Sequence, residues 1–178
     1  TYTLTVTNPA NGCTATSSVN VTQNITPPNV NAGAPQVLSC SVTSINLNGS
    51  SSTAGATFSW AGPGIVSGGT TASPTVDQAG TYILTMTDPA NGCTATANTT
   101  VTNDLGLPNA SAGAAQILNC SVTSIVLGGS SSTAGVTFSW AGPGIVSGGT
   151  SATPTVNQPG SYTITVTDPS NGCTTTSS

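Results

Sequence analysis

An 80-residue period runs through this chain without an insertion, and it constrains the fold more than any other feature. The opening string Thr1-Tyr-Thr-Leu-Thr-Val-Thr-Asn-Pro-Ala-Asn-Gly-Cys13 returns in near copies that end at Cys93 and Cys173. Trp60 returns as Trp140, and Cys40 as Cys120. Ser50–Thr70 matches Ser130–Thr150 with one change, Ala56 against Val136. Eighty residues make a small domain rather than a solenoid turn, so the period predicts beads on a string. The chain then divides into the C-terminal strands of a preceding repeat (1–22), a complete repeat (29–102) and a repeat lacking its last strand (109–178). Two equivalent linkers, Gln23–Pro28 and Asn103–Pro108, end in proline, which restricts φ and favours extended backbone. Neighbouring repeats are therefore expected to be held semi-rigidly. Residues 1–18 and 161–178 cover the same stretch of the repeat, which reads as a window on a longer polymer.

Within one repeat the periodicity is that of strands. Tyr82, Leu84 and Met86 alternate with Thr81, Thr85 and Thr87, and the copies Tyr2, Leu4, Val6 and Tyr162, Ile164, Val166 keep the phase. Phe58 and Trp60 alternate with Thr57 and Ser59, and Ala95, Ala97, Thr99 and Val101 share the inner face of a last strand. Asp88-Pro-Ala-Asn-Gly-Cys93 between them reads as a turn. No window has helical spacing. The fold class expected is all-β: tandem two-sheet antiparallel β-sandwich domains.

The chain has no Lys, Arg, His or Glu, and its four acids are Asp77, Asp88, Asp104 and Asp168. General acid–base work needs a group that titrates near working pH, and a Ser or Thr nucleophile needs a base beside it. Four scattered aspartates make a poor supply, so no enzyme and no catalytic residue are expected. Without cations there is nothing to neutralise phosphates, which argues against nucleic acid and anionic membrane surfaces as partners. No apolar run approaches the roughly 20 residues of a membrane span. No cofactor is expected: Gly62-Pro-Gly64 and Gly68-Gly69 are turn formers without the lysine of a phosphate loop. About a third of the residues are Ser or Thr, and the net charge is −4, so solubility must rest on hydroxyls, amides or attached sugar.

Each full repeat holds one early and one late cysteine, which makes Cys40–Cys93 and Cys120–Cys173 the natural pairs. Cys13 is then left to pair upstream or to stay free. Closing a loop of about 53 residues stabilises by roughly 4 kcal/mol in the chain-entropy description, which matters for a thin core of this size. Two cysteines per repeat with no histidine make a poor metal site, so no metal is expected, and disulfides imply an oxidising compartment. Asp88 near Asn91, and Asp168 near Asn171, suit a capped turn better than calcium, which wants six to eight oxygens. Sequons stand at Asn20, Asn24, Asn48, Asn98, Asn109 and Asn119. Outward hydroxyls such as Thr81, Thr85 and Thr87 offer O-linked attachment. Trp60 and Trp140 could be sugar-stacking platforms, but one tryptophan per sandwich more often fills its core.

The strings Gly80-Thr-Tyr82 and Asp88-Pro-Ala-Asn-Gly-Cys93, with the central Trp60, resemble the immunoglobulin-like and PKD-like repeats of secreted bacterial surface adhesins, in particular the long arrays of gliding bacteria. The resemblance covers the whole chain. It implies a secreted, extracellular or cell-surface protein of bacterial origin. Antibody-type domains place their second cysteine two residues after the tyrosine, where this chain has Leu84 and Ile164. Their inter-sheet disulfide therefore does not carry over, while Tyr82 and Tyr162 remain candidates for a tyrosine corner.

Two functions suit this reading. The first is a structural repeat segment of an extracellular filament, stalk or fibril, glycosylated, whose partners are neighbouring repeats of the same polymer. The second is an adhesin binding module that recognises carbohydrate or surface ligands through its loops, which would require exposed loop aromatics. Phe58, Trp60 and Tyr82 lie in strand patterns and the loops hold Gly, Ser and Thr, so the structural reading leads.

Overall fold

Alternating β-branched and small polar residues, broken by Gly, Pro and Asn, favour short strands. The computed structural model describes residues 1–178 and is all-β. A hairpin opens the chain, β1 (Tyr2–Thr7) with β2 (Thr14–Val19). The complete repeat follows: β3 (Gln36–Ser39), β4 (Ile45–Asn46), β5 (Thr57–Ala61), β6 (Ile65–Ser67), β7 (Thr75–Val76), β8 (Gly80–Thr87) and β9 (Thr94–Asp104). Its two sheets have strand orders β3-β9-β8-β5 and β4-β7-β6. The next repeat holds β10 (Ile125–Val126), β11 (Thr137–Ala141), β12 (Ile145–Ser147), β13 (Thr155–Val156), β14 (Thr163–Thr167) and β15 (Thr174–Ser177). Its sheets run β11-β14-β15 and β10-β13-β12. The architecture is a tandem series of immunoglobulin-like β-sandwiches.

Burial follows the alternation. Tyr82, Leu84 and Met86 on β8 are fully buried, and they meet Leu47 and Val76 from the facing sheet. Each such side chain contributes about 1.5–3 kcal/mol on leaving water. Trp60 lies opposite Leu84 in register and is 7% exposed; Trp140, opposite Ile164, has the same value. Each indole N–H donates to a loop carbonyl, Thr71 or Ser151, at 3.0 Å. The tryptophans are therefore core residues whose one polar atom is satisfied. The Tyr82 hydroxyl donates to the Gln78 carbonyl four residues upstream at 2.7 Å, with the Pro63 carbonyl also in reach. Tyr162 repeats this with Gln158 and Pro143. Both are tyrosine corners.

Three features depart from the sequence reading. Strand β3 pairs parallel with the far end of β9, Gln36 opposite Val101 through Ser39 opposite Asp104. No hairpin joins these two strands, so no turn imposes an antiparallel direction. Pairing with β3 also carries β9 two residues into the linker, to Asp104. Finally, Tyr162 is only half-buried, unlike Tyr82. Strand β15 runs to Ser177, and residues 109–178 include no counterparts of Thr99 and Val101. A cleft of about 540 Å³ lies there instead, lined by Leu118, Leu127, Trp140 and Tyr162. In the hairpin at residues 1–22, Tyr2 keeps its phase and is 69% exposed.

Candidate functional site at the repeat junction

The turn after each central strand is built from its own side chains. Asp88 Oδ1 accepts the Ala90 N–H at 2.8 Å, and Asn91 Oδ1 accepts the Cys93 N–H at 2.8 Å. The Gly92 N–H donates to the Asp88 carbonyl at 2.8 Å, with φ of 72° at Gly92. Asp168 and Asn171 cap the equivalent turn. There Ser170 adds its hydroxyl to the Asp168 carboxylate at 2.7 Å. That bond and the Ser170 backbone N–H hold the Asp168 carboxyl below its ordinary range.

This turn is the contact between successive repeats. Asn171 Nδ2 donates to Asp104 Oδ1 (3.1 Å) and to the Gly106 carbonyl (2.9 Å), so it grips the linker that leads into its own repeat. The Asn171 carbonyl accepts from the Ser41 N–H (3.1 Å) and hydroxyl (3.3 Å) of the preceding repeat. Asn171 is buried, and its side-chain amide and its carbonyl are all engaged. The backbones come so close that a Cβ on Gly172 would stand 2.5 Å from Ser41 Cβ. One period earlier the grip recurs: Asn91 Nδ2 donates to Asn24 Oδ1 (3.2 Å) and to the Thr26 carbonyl (3.0 Å).

The disulfide also belongs to the junction. Cys40 bonds Cys173 across 133 positions of sequence, with their Cα atoms 5.0 Å apart. The expected pairs Cys40–Cys93 and Cys120–Cys173 are not formed; Cys93 and Cys120 are free thiols, as is the exposed Cys13. The reason is the length of β9. Cys93 immediately precedes Thr94, at the start of that strand, whereas Cys40 follows Ser39, which pairs with Asp104 at its end. Ten residues of strand separate the two ends by roughly 33 Å, while bridged Cα atoms stand within about 7 Å. The two cysteines of one repeat thus lie at opposite poles of the sandwich. End-to-end stacking brings the early pole of one repeat against the late pole of the next. The Cys40–Cys173 bond closes a loop worth about 5 kcal/mol in the chain-entropy description.

Sequence reasoning placed Cys40 and Cys173 in disulfides but missed Asn171, Gly172 and Ser41 as junction residues. A signal was present: Asn11, Asn91 and Asn171, and the glycine after each, are identical in all three copies. The linker positions Asn24 and Asp104 both offer a side-chain acceptor.

The remaining candidate residues are dispersed. Asn20, Asn24, Asn48, Asn98, Asn109 and Asn119 are all exposed, but three have their amide oxygens engaged, Asn20 by the Thr1 hydroxyl. Asn24 accepts from Asn91, and Asn119 accepts from the Ser121 and Val122 N–H groups at 2.9 Å. Thr81 is exposed, whereas Thr85 and Thr87 are half-buried, flanked by Ser59 and Thr57 on β5 and by Thr96 and Thr94 on β9. Central-strand position explains the difference. Burial raises the pKa of Tyr82; its hydrogen bond to the Gln78 carbonyl works the other way, and the Asp77 charge adds to the rise.

No protein-family model matches the chain, and no curated protein matches it. Among solved structures it is similar to extracellular domains 3–5 of Drosophila OTK, at 11% identity and a TM-score of 0.37 over 93% of this chain and 65% of that one. It is also similar to the titin I-band fragment I67–I69, at 12% identity and a TM-score of 0.36 over 86% and 64%. A third is the N-terminal four-Ig-domain segment of a Dscam1 isoform, at 11% identity and a TM-score of 0.32 over 96% and 51%. The chain thus spans less than two thirds of each of these structures.

Proposed function

We propose that this chain is a non-catalytic segment of an extracellular structural rod, in which successive β-sandwiches are locked end to end. The observation that carries this reading is the junction. A covalent bond, a buried asparagine grip and a linker clamp all join one repeat to the next, and the grip recurs at both junctions. Disulfides persist in oxidising compartments, and the Cys40–Cys173 bond supports a location outside the cytoplasm. Burial of Trp60 and Trp140 supports the structural role over loop-mediated sugar binding.

Glycans on the exposed sequons and on Thr81 would keep such rods apart. With a net charge of −4 there is little electrostatic repulsion to do so. Peptides from natural material that carry these sequons or Thr81 should then weigh more than their amino-acid sequence, and bare peptide masses would remove the glycan from the proposal.

Stretching single molecules from their termini tests the rod. Under oxidising conditions the 133 positions between Cys40 and Cys173 are held short. Adding reductant should release roughly 450 Å of further extension, at about 3.3–3.6 Å per residue. Equal extension with and without reductant would refute a mechanical lock.

A further inference from the structure

Cys93 occupies the place of Cys173 one period earlier. Its turn has the same two side-chain caps, its asparagine grips the equivalent linker at the same two positions, and its glycine has nearly the same left-handed φ. Cys173 is fully buried and bonded, whereas Cys93 is half-exposed and free. What differs is the body across the linker. Behind Cys173 stands a complete sandwich that presents Cys40 and Ser41; behind Cys93 stands only the β1–β2 hairpin. Accordingly a Cβ at Gly92 would meet nothing within 4 Å.

At the other end, Cys120 is exposed on a turn like that of Cys40. The Asn119 N–H donates to the Val122 carbonyl at 3.0 Å, as the Ser39 N–H does to Val42 at 2.9 Å. Cys120 is followed by Ser121, as Cys40 is by Ser41. Because the two cysteines of one repeat lie at opposite poles, neither free thiol can be satisfied inside its own sandwich.

We infer that Cys93 and Cys120 are the two open halves of a repeating inter-domain cross-link. The early cysteine of each sandwich bonds the late cysteine of the sandwich that follows it. The partner of Cys93 is then a cysteine of the Cys40 type, borne by a complete repeat joined through Gln23–Pro28. The partner of Cys120 is one of the Cys173 type, borne by a following repeat. This rests on the tandem-rod reading and extends it: the rod carries one disulfide at every junction, and no sandwich is closed by its own pair. Each bond forms when two thiols lose two protons and two electrons to a disulfide oxidant such as oxidised glutathione, which leaves as two thiols. The linker grip sets the two sulfurs face to face before that exchange.

The test adds the missing bodies. Residues 1–22 are equivalent to 81–102, so a copy of residues 23–80 placed before Thr1 completes the first sandwich. It sets a second Cys40 133 positions ahead of Cys93, the separation seen in the existing bond. After refolding with oxidised and reduced glutathione, non-reducing peptide mapping should join the copied Cys40 to Cys93 and the original Cys40 to Cys173. Cys13 and Cys120 alone should be alkylated. A second arm appends a copy of residues 99–178 after Ser178 and should join Cys120 to the copied Cys173. Cys93 alkylated while Cys40–Cys173 is intact would overturn the ladder and leave the rod standing. Cys93 joined to Cys40 of its own repeat, or to Cys120 of another molecule, would overturn it too. Loss of Cys40–Cys173 itself would instead count against the rod.

Discussion

The junction can be probed by one methyl group placed at either of two equivalent glycines. Gly92 and Gly172 share the same turn and nearly the same backbone, with φ of 72° and 73°. An alanine at either position bears the left-handed cost, about 1–2 kcal/mol. At Gly92 nothing lies within 4 Å of the new Cβ, so that is the whole effect. At Gly172 the Cβ would stand 2.5 Å from Ser41 Cβ and 3.2 Å from the Ser41 nitrogen, so the two repeats must separate locally. That retreat weakens the bonds from Ser41 to the Asn171 carbonyl, at about 0.5–1.5 kcal/mol each. The difference between Gly172→Ala and Gly92→Ala is then about 2 kcal/mol, or roughly 30-fold in the junction equilibrium. Two assays read it: the thiol–disulfide equilibrium of Cys40 and Cys173 in a glutathione buffer, and hydrogen exchange of the Ser41 amide in the reduced chain. Gly172→Ala should shift both by about 30-fold, and Gly92→Ala should leave both at the parent values. Equal effects of the two substitutions would refute the idea that Gly172 is required by the approach of the preceding repeat.

Three further outcomes follow from the packing. Thr99 is buried with its hydroxyl unpartnered, and the hairpin copy already has Val19 at that position; Thr99→Val should stabilise the complete repeat by about 1 kcal/mol in denaturant unfolding. Leu84→Ala removes a fully buried side chain and should cost about 2–5 kcal/mol, whereas Ile83→Ala on the outer face should stay within about 0.5 kcal/mol; similar losses would contradict the assigned faces. The Tyr82 pKa is raised above 10.0 in the folded chain, so the stability it confers is complete below pH 10.0 and declines as pH rises through the folded value. Tyrosinate absorbance in an alkaline titration should show Tyr82 ionising together with unfolding, and its ionisation in the still-folded chain would contradict this.

What the sequence determined by itself is everything governed by local period. The 80-residue repeat, the inward phase of Tyr82, Leu84 and Met86, the buried tryptophans, both tyrosine corners and the capped Asp88–Cys93 turn all depend on neighbours a few residues away or on exact copies. The half-buried Tyr162 and exposed Tyr2 show the limit of that legibility. The same phase was written in all three copies, but burial depends on the strands packed around each one, which enclose Tyr82 more fully than Tyr162 or Tyr2. Only the tertiary structure decided the cysteine partners. Along the chain, Cys40 stands 53 positions from Cys93 and 133 from Cys173, and both pairings close one early and one late cysteine. Spacing does not choose between them. The choice is made in space, because β9 carries Cys93 and the Cys40-bearing edge to opposite poles, and stacking along the linker returns Cys40 to bonding distance of the next repeat. Disulfide geometry depends on the separation of two Cα atoms, which strand direction and domain stacking set together, and neither is encoded in a local period.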